Sequence, residues 1–436
     1  MALQVFISHG AGKDQCVEDA VNLLVPRLKE LGYEVFWDLE SLRKGDVWAE
    51  ELYTALFRCD AAVVLLGPKT VDDSEWVRRE TEVLMSRHVM HSLPHVLPGL
   101  LGNVDTKRAR KQGFGPLLRL QAAIEDRSSN PNPPPWGEAA ANQVVEWILE
   151  EFAHVGPVSQ NEAVFEWAER IAAYLDKASK RGAKQVLAAA QRLGLEGADL
   201  TQIMSRIGSD LLLSFRLLAA AGQGIVLAQA LAELHPVLDR SLRGLAEQLV
   251  PGWVNQDAAQ CFLPQQSDYG VQGRIIVFPA YDGWMAEHHV KRALFVKPAS
   301  WRVAELGDEE ELPWDEQHPT ERLHDACTQR LYDLFRLPRW AELETVEQTP
   351  GVFEYLVVSL SDFPLDAVAE VARSFQERYP WLGFVILAPD QVPDEKELEA
   401  HGLTEAVPVE PRPSLKQQTD AFRLQATIDD LLDQCG

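Results

Sequence analysis

Trp76 and Glu80 stand four residues apart in the run SEWVRRE, Ser74 to Glu80. On a helix that spacing places both side chains on one face. Asp72 and Glu75 have the spacing of a capping box, which predicts a helix start just before Trp76. An aromatic plane and a carboxylate would then point into one cleft. Such a carboxylate suits the breaking of a glycosidic bond, because positive charge builds on the sugar and a fixed negative charge lowers the barrier. Where the leaving group departs neutral no acid is needed, so one carboxyl group can suffice where ordinary glycosidases use two. The plainer role for Glu80 is pairing with Arg78 or Arg79 on a solvated helix face.

Gly10, Gly12 and Lys13, in HGAGKD, carry a second chemical signal. A glycine-rich turn between strand and helix aims backbone N–H groups at anions. A full phosphate loop would also need glycine where Ile7 stands and Ser or Thr where Asp14 stands, so nucleotide triphosphate hydrolysis is not expected. The position still matters. Ser8 and His9 end the first strand, and open α/β sheets bind their ligands at the carboxyl ends of strands.

Hydrophobic spacing supplies the elements that hold these residues. Leu3 to Ser8, Tyr33 to Asp38, Ala61 to Leu66, Leu93 to Leu101 and a short Leu117 to Ile124 read as strands. Val17 to Leu31, Trp48 to Phe57, Ser74 to His88 and Glu138 to Ala153 read as helices, with Gly32 as a C-cap. Apolar strands separated by helices predict a parallel sheet covered on both faces, a flavodoxin-like doubly wound α/β domain over residues 1–155. Ser128 to Pro135 reads as a connection within it. Residues 157–251 predict an all-α bundle: Ala163–Lys180, Lys184–Leu193, Leu200–Ile207, Leu211–Ala221, Ile225–Leu234 and Val237–Leu249. Residues 255–436 predict a second α/β domain. Its strands are Arg274–Phe278, Ala293–Val296, Glu354–Leu360 and Gly383–Leu387, and its helices include Glu321–Phe335 and Leu365–Tyr379.

Composition narrows the function classes. The 436 residues are 46% apolar and 25% charged, as expected of several globular units. Lys and Arg total 41 against 66 Asp and Glu, a net charge of -25, which disfavours nucleic acid and anionic membranes as partners. Cys16, Cys59, Cys261, Cys327 and Cys435 lack ligand or disulfide spacing, so no metal or cofactor is expected and a reducing cytoplasm fits. MALQVFISHG lacks the marks of a signal peptide. Leu211 to Ala232 carries Arg216, Gln223 and Gln229 and is split by Gly222 and Gly224, so it predicts two helices and a turn rather than a membrane span. The acidic run Glu305 to Glu316 reads as a solvated loop, and His288 with His289 as surface. No cluster of basic residues along 255–436 is dense enough to suggest phosphate contacts.

VFISHGAGKD, LGYEVFWDLE, LRKGDVW and SEWVRRE together, in this order and spacing, resemble a TIR domain. The resemblance covers about residues 1–155. It implies that LRKGDVW corresponds to the loop governing TIR self-association, and that Glu80 is the catalytic glutamate of NAD⁺ cleavage found in bacterial and plant-like TIR enzymes. It further implies substrate contacts from Ser8, His9, Asp38, Arg43, Lys44, Trp48, Ser74 and Trp76. Arg43, Lys44 and Trp48 could equally meet a neighbouring TIR copy, Asp38 could be a cap, and Trp37 reads as core. Val77 stands where many such enzymes have cysteine. Leu193 to Ser209 and Leu211 to Pro236 resemble small death-like adaptor domains attached to bacterial defence effectors, which pair with like domains on other proteins; a linker bundle is the alternative. Residues 255–436 resemble nucleotide-binding folds without their phosphate loop. The resemblances imply an NAD⁺ glycohydrolase, activated by homo-oligomerisation when a sensor protein engages the helical region, in antiphage defence. A synthase releasing a cyclised ADP-ribose, or a non-catalytic scaffold recruiting other TIR proteins, are the alternatives.

Overall fold

Ala61–Leu66 has no polar side chain, and all six of its residues are buried. In the computed structural model this strand, β3, is the middle of a five-stranded parallel sheet, where helices on both faces leave no strand surface to water. The structure describes residues 3–37, 55–90, 95–120, 123–124, 138–153, 161–195, 209–267, 270–298, 300–306, 318–343 and 346–433. The chain divides into two compact units, one of Met1–Ala220 with Gln229–Leu245, the other of Ala221–Ala228 with Ala246–Gly436.

In the first unit the strands are β1 (Gln4–His9), β2 (Glu34–Trp37), β3, β4 (His95–Leu100) and β5 (Ala123–Ile124), in the order β2-β1-β3-β4-β5. That is the flavodoxin-like order, and the sequence expectation of this fold holds. Alternation along β1 and β3 sends Val5, Ile7, Val63 and Leu65 to one face. There they meet Val17, Val21, Leu24 and Leu28 of α1 (Gln15–Glu30) and the helix Glu138–Phe152. Between β3 and β4 come α2 (Pro68–Asp73), which periodicity did not reveal, and α3 (Glu75–Val89).

The middle of the chain is helical. Ala163–Lys180 and Lys184–Leu193 form one element, α4 (Asn161–Arg192), interrupted at Gly182. Next come α5 (Ser209–Ala220), α6 (Gly224–Leu238) and α7 (Ser241–Leu249). The expected break between Leu234 and Val237 is displaced: Pro236 lies inside α6, which ends where Asp239 takes a φ of 46°. Leu200–Ile207 lies outside the described residues, as does Ser128–Pro135. No helix among the described residues is long and apolar enough to cross a membrane.

The second unit holds another five-stranded parallel sheet. An antiparallel pair, β6 (Gln265–Ser267) and β7 (Gly270–Gln272), precedes it. The parallel strands are β8 (Ile275–Phe278), β9 (Trp301–Glu305), β10 (Phe353–Ser359), β11 (Gly383–Leu387) and β12 (Val407–Pro408), in the order β12-β8-β11-β10-β9. One face packs on α9 (Pro319–Leu334) and α10 (Leu365–Arg378) through Leu323, Leu331, Val368 and Phe375. The expected strand Ala293–Val296 is instead the end of α8 (Gly283–Ala293). Phe295 and Val296 have φ near 50° and their N–H groups bond back to Arg292 and Lys291, which closes the helix. The strand falls on Trp301–Glu305, so Glu305 belongs to the sheet; 307–316 of the acidic run lie outside the described residues. In the first unit Leu117–Arg119 is a 3₁₀ turn, leaving only Ala123–Ile124 as strand.

Candidate active site

β1 and β3 are neighbours at the point where the strand order of the first sheet reverses, the position at which doubly wound sheets leave a crevice outside the carboxyl ends of strands. Ser8 and His9 close β1 there. Since alternate residues face opposite sides, Ser8 faces α3 and His9 faces α1. Ser8 Oγ donates a hydrogen bond to Glu80 Oε2 at 2.5 Å, both residues being buried, at 1% and 4% exposure. A short bond from a hydroxyl to a carboxylate in a desolvated setting fixes the acid's orientation.

The phase of α3 brings Glu80 to Ser8, and Ser74 sets that phase. Its side chain accepts from the Val77 N–H at 3.3 Å, making Ser74 the N-cap. The expected capping box of Asp72 with Glu75 does not form: Asp72 lies within α2, whose C-cap is Ser74. Asp72 instead pairs with Arg108 at 2.6 Å. Trp76 is half-buried one turn before Glu80. At the far end of α3, Arg87 is fully buried. Its guanidinium donates to the carbonyls of Leu56 at 2.6 Å and Cys59 at 2.7 Å, holding the end of the helical turn at 55–58.

Two of the protein's own carboxylates, Asp14 and Glu18, make hydrogen bonds at the glycine-rich turn and beside it. Asp14 accepts from the N–H groups of Lys69 and Thr70, at 3.1 and 2.7 Å, and from Thr70 Oγ1 at 2.8 Å. It thereby caps the start of α2 from across the sheet. A Cβ on Gly67 would lie 2.4 Å from Asp14 Oδ2, and one on Gly10 would lie 2.6 Å from Thr70 Oγ1. The turn's Gly12 N–H is engaged by Glu18 Oε1 at 2.6 Å. Within the turn, Glu18 takes the Gly12 N–H and the Gly10 carbonyl takes the Lys13 N–H, so these two amides are already engaged. Asp14 and Thr70 are structural members of the site that spacing did not identify; the available signal was an acidic residue at a helix N-cap position.

His9 is 5% exposed, and burial lowers its pKa despite the opposing effects of Glu18 and the Ile7 backbone. It lies toward Glu18, away from the Ser8–Glu80 pair. On α3, burial raises the Glu82 pKa against the nearby charges of Arg216, Arg78 and Arg79. Trp37 packs against the α1 core with Lys29 Nζ 4.0 Å above its ring, consistent with the core reading. Of the residues expected at the site, the structure joins Ser8 to Glu80, sets Trp76 one turn before Glu80 on the same helix, and makes Ser74 the cap of that helix. Asp38, Arg43, Lys44 and Trp48 lie outside the described residues.

His288 and His289 are not surface residues. They are 7% and 1% exposed, packed with Trp253, Phe262 and Phe278. His288 Nδ1 accepts from Trp253 Nε1 at 3.1 Å, and His289 Nδ1 lies 2.7 Å from the Met285 carbonyl. Their sequence neighbourhood gave no sign of this, because the covering aromatics come from distant segments. Among the described residues no group of three or more His, Cys, Asp or Glu is placed to hold a metal.

Residues 5–125 match the family model for the TIR domain, a span that includes Ser8, Asp14, Ser74, Trp76 and Glu80. Comparisons with curated proteins and with solved structures give no match.

Proposed function

Because the N-terminal part of this chain is a TIR domain, we propose that it is an NAD⁺ glycohydrolase in which Glu80 carries the chemistry. The observation that supports this reading is the buried Ser8–Glu80 hydrogen bond at the carboxyl end of β1, beside the crevice of the sheet. In the reaction the bond between ribose C1′ and the nicotinamide nitrogen breaks, and its electron pair neutralises the pyridinium. Nicotinamide therefore leaves without an acid. The Glu80 carboxylate stabilises the cationic ribose until water adds to C1′ and loses a proton. Ser8 acts as a positioning residue, holding one carboxylate oxygen. Capture of C1′ by an adenine nitrogen instead of water would release a cyclised ADP-ribose.

TIR domains commonly self-associate, and in this reading assembly completes the site, triggered by a sensor protein that engages the helical region. The outcome, depletion of NAD⁺, fits a role in antiphage defence. A non-catalytic scaffold is the second reading, favoured by the 4% exposure of Glu80, which a purely structural carboxylate would share.

The test is nicotinamide release from NAD⁺ by the full chain at concentrations that force association, beside Glu80→Gln, with circular dichroism as a check on folding. Release by the wild type and its loss in a folded Glu80→Gln variant are expected. Equal rates in the two would overturn the role of Glu80, and no release by the wild type would favour the scaffold. Chromatography of the products separates hydrolysis from cyclisation.

A further inference from the structure

The second unit has a cleft that plays no part in the reaction above. It encloses about 700 Å³ between β9 and the last turn of α9 with the residues just beyond it. Three arginines line it, Arg302, Arg330 and Arg336. They stand 28 and 6 positions apart in the chain. Only the packing of α9 on the edge strand makes them a cluster, which explains why no basic run marked it in the sequence.

Arg302 and Arg330 are each held beside a carboxylate, and Arg336 is exposed. Arg302 is the cross-strand neighbour of Glu354, and its Nη1 is 3.9 Å from that carboxylate, close enough for attraction and too far for a hydrogen bond. Its guanidinium also lies 5.7 Å from the centre of the Phe335 ring, which sets its plane. Arg330 is 3.9 Å from Asp333. Arg336 is exposed and forms no ion pair among the described residues. It has a φ of 53°, at the position after a helix end where glycine is usual. Its neighbours show the closing pattern, Leu337 N–H donating to the Tyr332 carbonyl at 2.8 Å and Arg336 N–H to Asp333 at 3.1 Å. A long cationic side chain in that backbone state is the kind of local strain that collects at binding sites.

Two carboxylates share the rim, Glu305 and Asp333, but Glu305 accepts from the Gly283 N–H at 2.8 Å on the other side of the strand. On a protein of net charge -25, three arginines converging on one concavity call for an anion with several charges. Guanidinium forks match the oxygens of phosphate in pairs, and the volume is that of a site for a small molecule. We propose that this cleft binds the phosphate groups of a small phosphorylated ligand, gripped by Arg302, Arg330 and Arg336. The cleft runs along β9, the edge strand of its sheet, from Arg302 to Glu305.

Calorimetric titration of the full chain with inorganic pyrophosphate, ATP and citrate, at low and at physiological ionic strength, tests the proposal. Both phosphate probes should bind, more weakly in the higher salt, with citrate about tenfold weaker or more. Arg336→Gly suits the backbone at that position, so it should keep or raise the melting temperature while reducing phosphate affinity about tenfold. Arg302→Lys, which keeps the charge but not the fork, should fall between that variant and wild type. Tighter binding of ATP than of pyrophosphate would identify a nucleotide as the source; equal binding would assign the affinity to phosphate alone. Either result supports the site. It is overturned if neither phosphate binds at millimolar concentration, if citrate binds as well as pyrophosphate, or if Arg336→Gly and Arg302→Lys together leave affinity unchanged.

Discussion

Replacing Glu354 by glutamine should stabilise the second unit at pH 8 and do little at pH 4. Glu354 is 1% exposed on β10, neither carboxylate oxygen has a hydrogen-bond partner, and the Arg302 cation is 3.9 Å away. Burial pushes its pKa from 4.5 up to about 7, with Arg302 opposing. In the unfolded chain the group ionises at the lower value, so between these limits the folded state holds more protons and stability falls as pH rises. The whole shift would correspond to about 3 kcal/mol. Water reaching Arg302 at the cleft mouth screens the site, so we expect ~2 kcal/mol. Glutamine carries no charge and keeps the shape, and like the protonated acid it leaves polar atoms unbonded, so the difference between pH 8 and pH 4 isolates ionisation. Hydrogen exchange of β10 and β11 peptides in the full chain, corrected for intrinsic rates, reads this locally. A wild-type stability that is flat between pH 4 and 8, or a Glu354→Gln variant with the same pH dependence as wild type, would refute the argument.

Two further outcomes follow from buried groups. Removing the Asp14 carboxylate with Asp14→Ala strips the caps from Lys69 and Thr70 and should cost about 2–3 kcal/mol, with Asp14→Asn costing less, measured by exchange of α2 and β3 peptides. Burial lowers the pKa of His288 to about 3 and of His289 to about 4. Their folded values lie below the ordinary 6.5, so stability is lost as pH falls from 6.5 toward 4, by up to ~3 kcal/mol for His289 alone. His289→Leu should therefore make exchange of α8 amides less sensitive to acid; an unchanged sensitivity would count against the buried neutral histidine.

The legible parts of this fold were those where one segment carries its own signal. Ala61–Leu66 is apolar at every position and Gly383–Leu387 nearly so, and both are strands with the expected bounds. The placing of Glu80 one turn after Trp76 was legible because both lie on one helix, which Ser74 caps. What stayed hidden depends on segments meeting. Ala293–Val296 is as apolar as a strand, but its residues are used to close α8, and the edge strand falls on the more polar Trp301–Glu305. Asp72 has the better capping spacing, yet the helix it would start is pre-empted by α2, which leaves Ser74 to cap α3. Arg87 carries no sign of burial in its own segment, and the groups it meets, the carbonyls of Leu56 and Cys59 among them, come from the turn before β3.

The helix that carries Glu80 is also the one on which the helical region rests. α3 packs against the sheet and buries Val77, Val83 and Leu84, and α5 packs against it from outside the sheet. Phe57 stacks on Phe215 of α5 at 5.5 Å and meets Phe165 of α4 at 6.3 Å, while Arg216 of α5 acts electrostatically on Glu82. Phe57 has no exposure in this arrangement. Separating the TIR region from α4 and α5 would therefore uncover an aromatic ring and remove a cation from beside a buried carboxylate. Both changes act within one turn of Glu80 or on the helical turn that Arg87 ties to α3. A partner that shifts α5 has a short physical route to the Ser8–Glu80 pair: the rigid body of α3, whose phase is set by Ser74 at one end and by Arg87 at the other. The side chain proposed for chemistry and the surface proposed for sensing are thus two faces of a single helix.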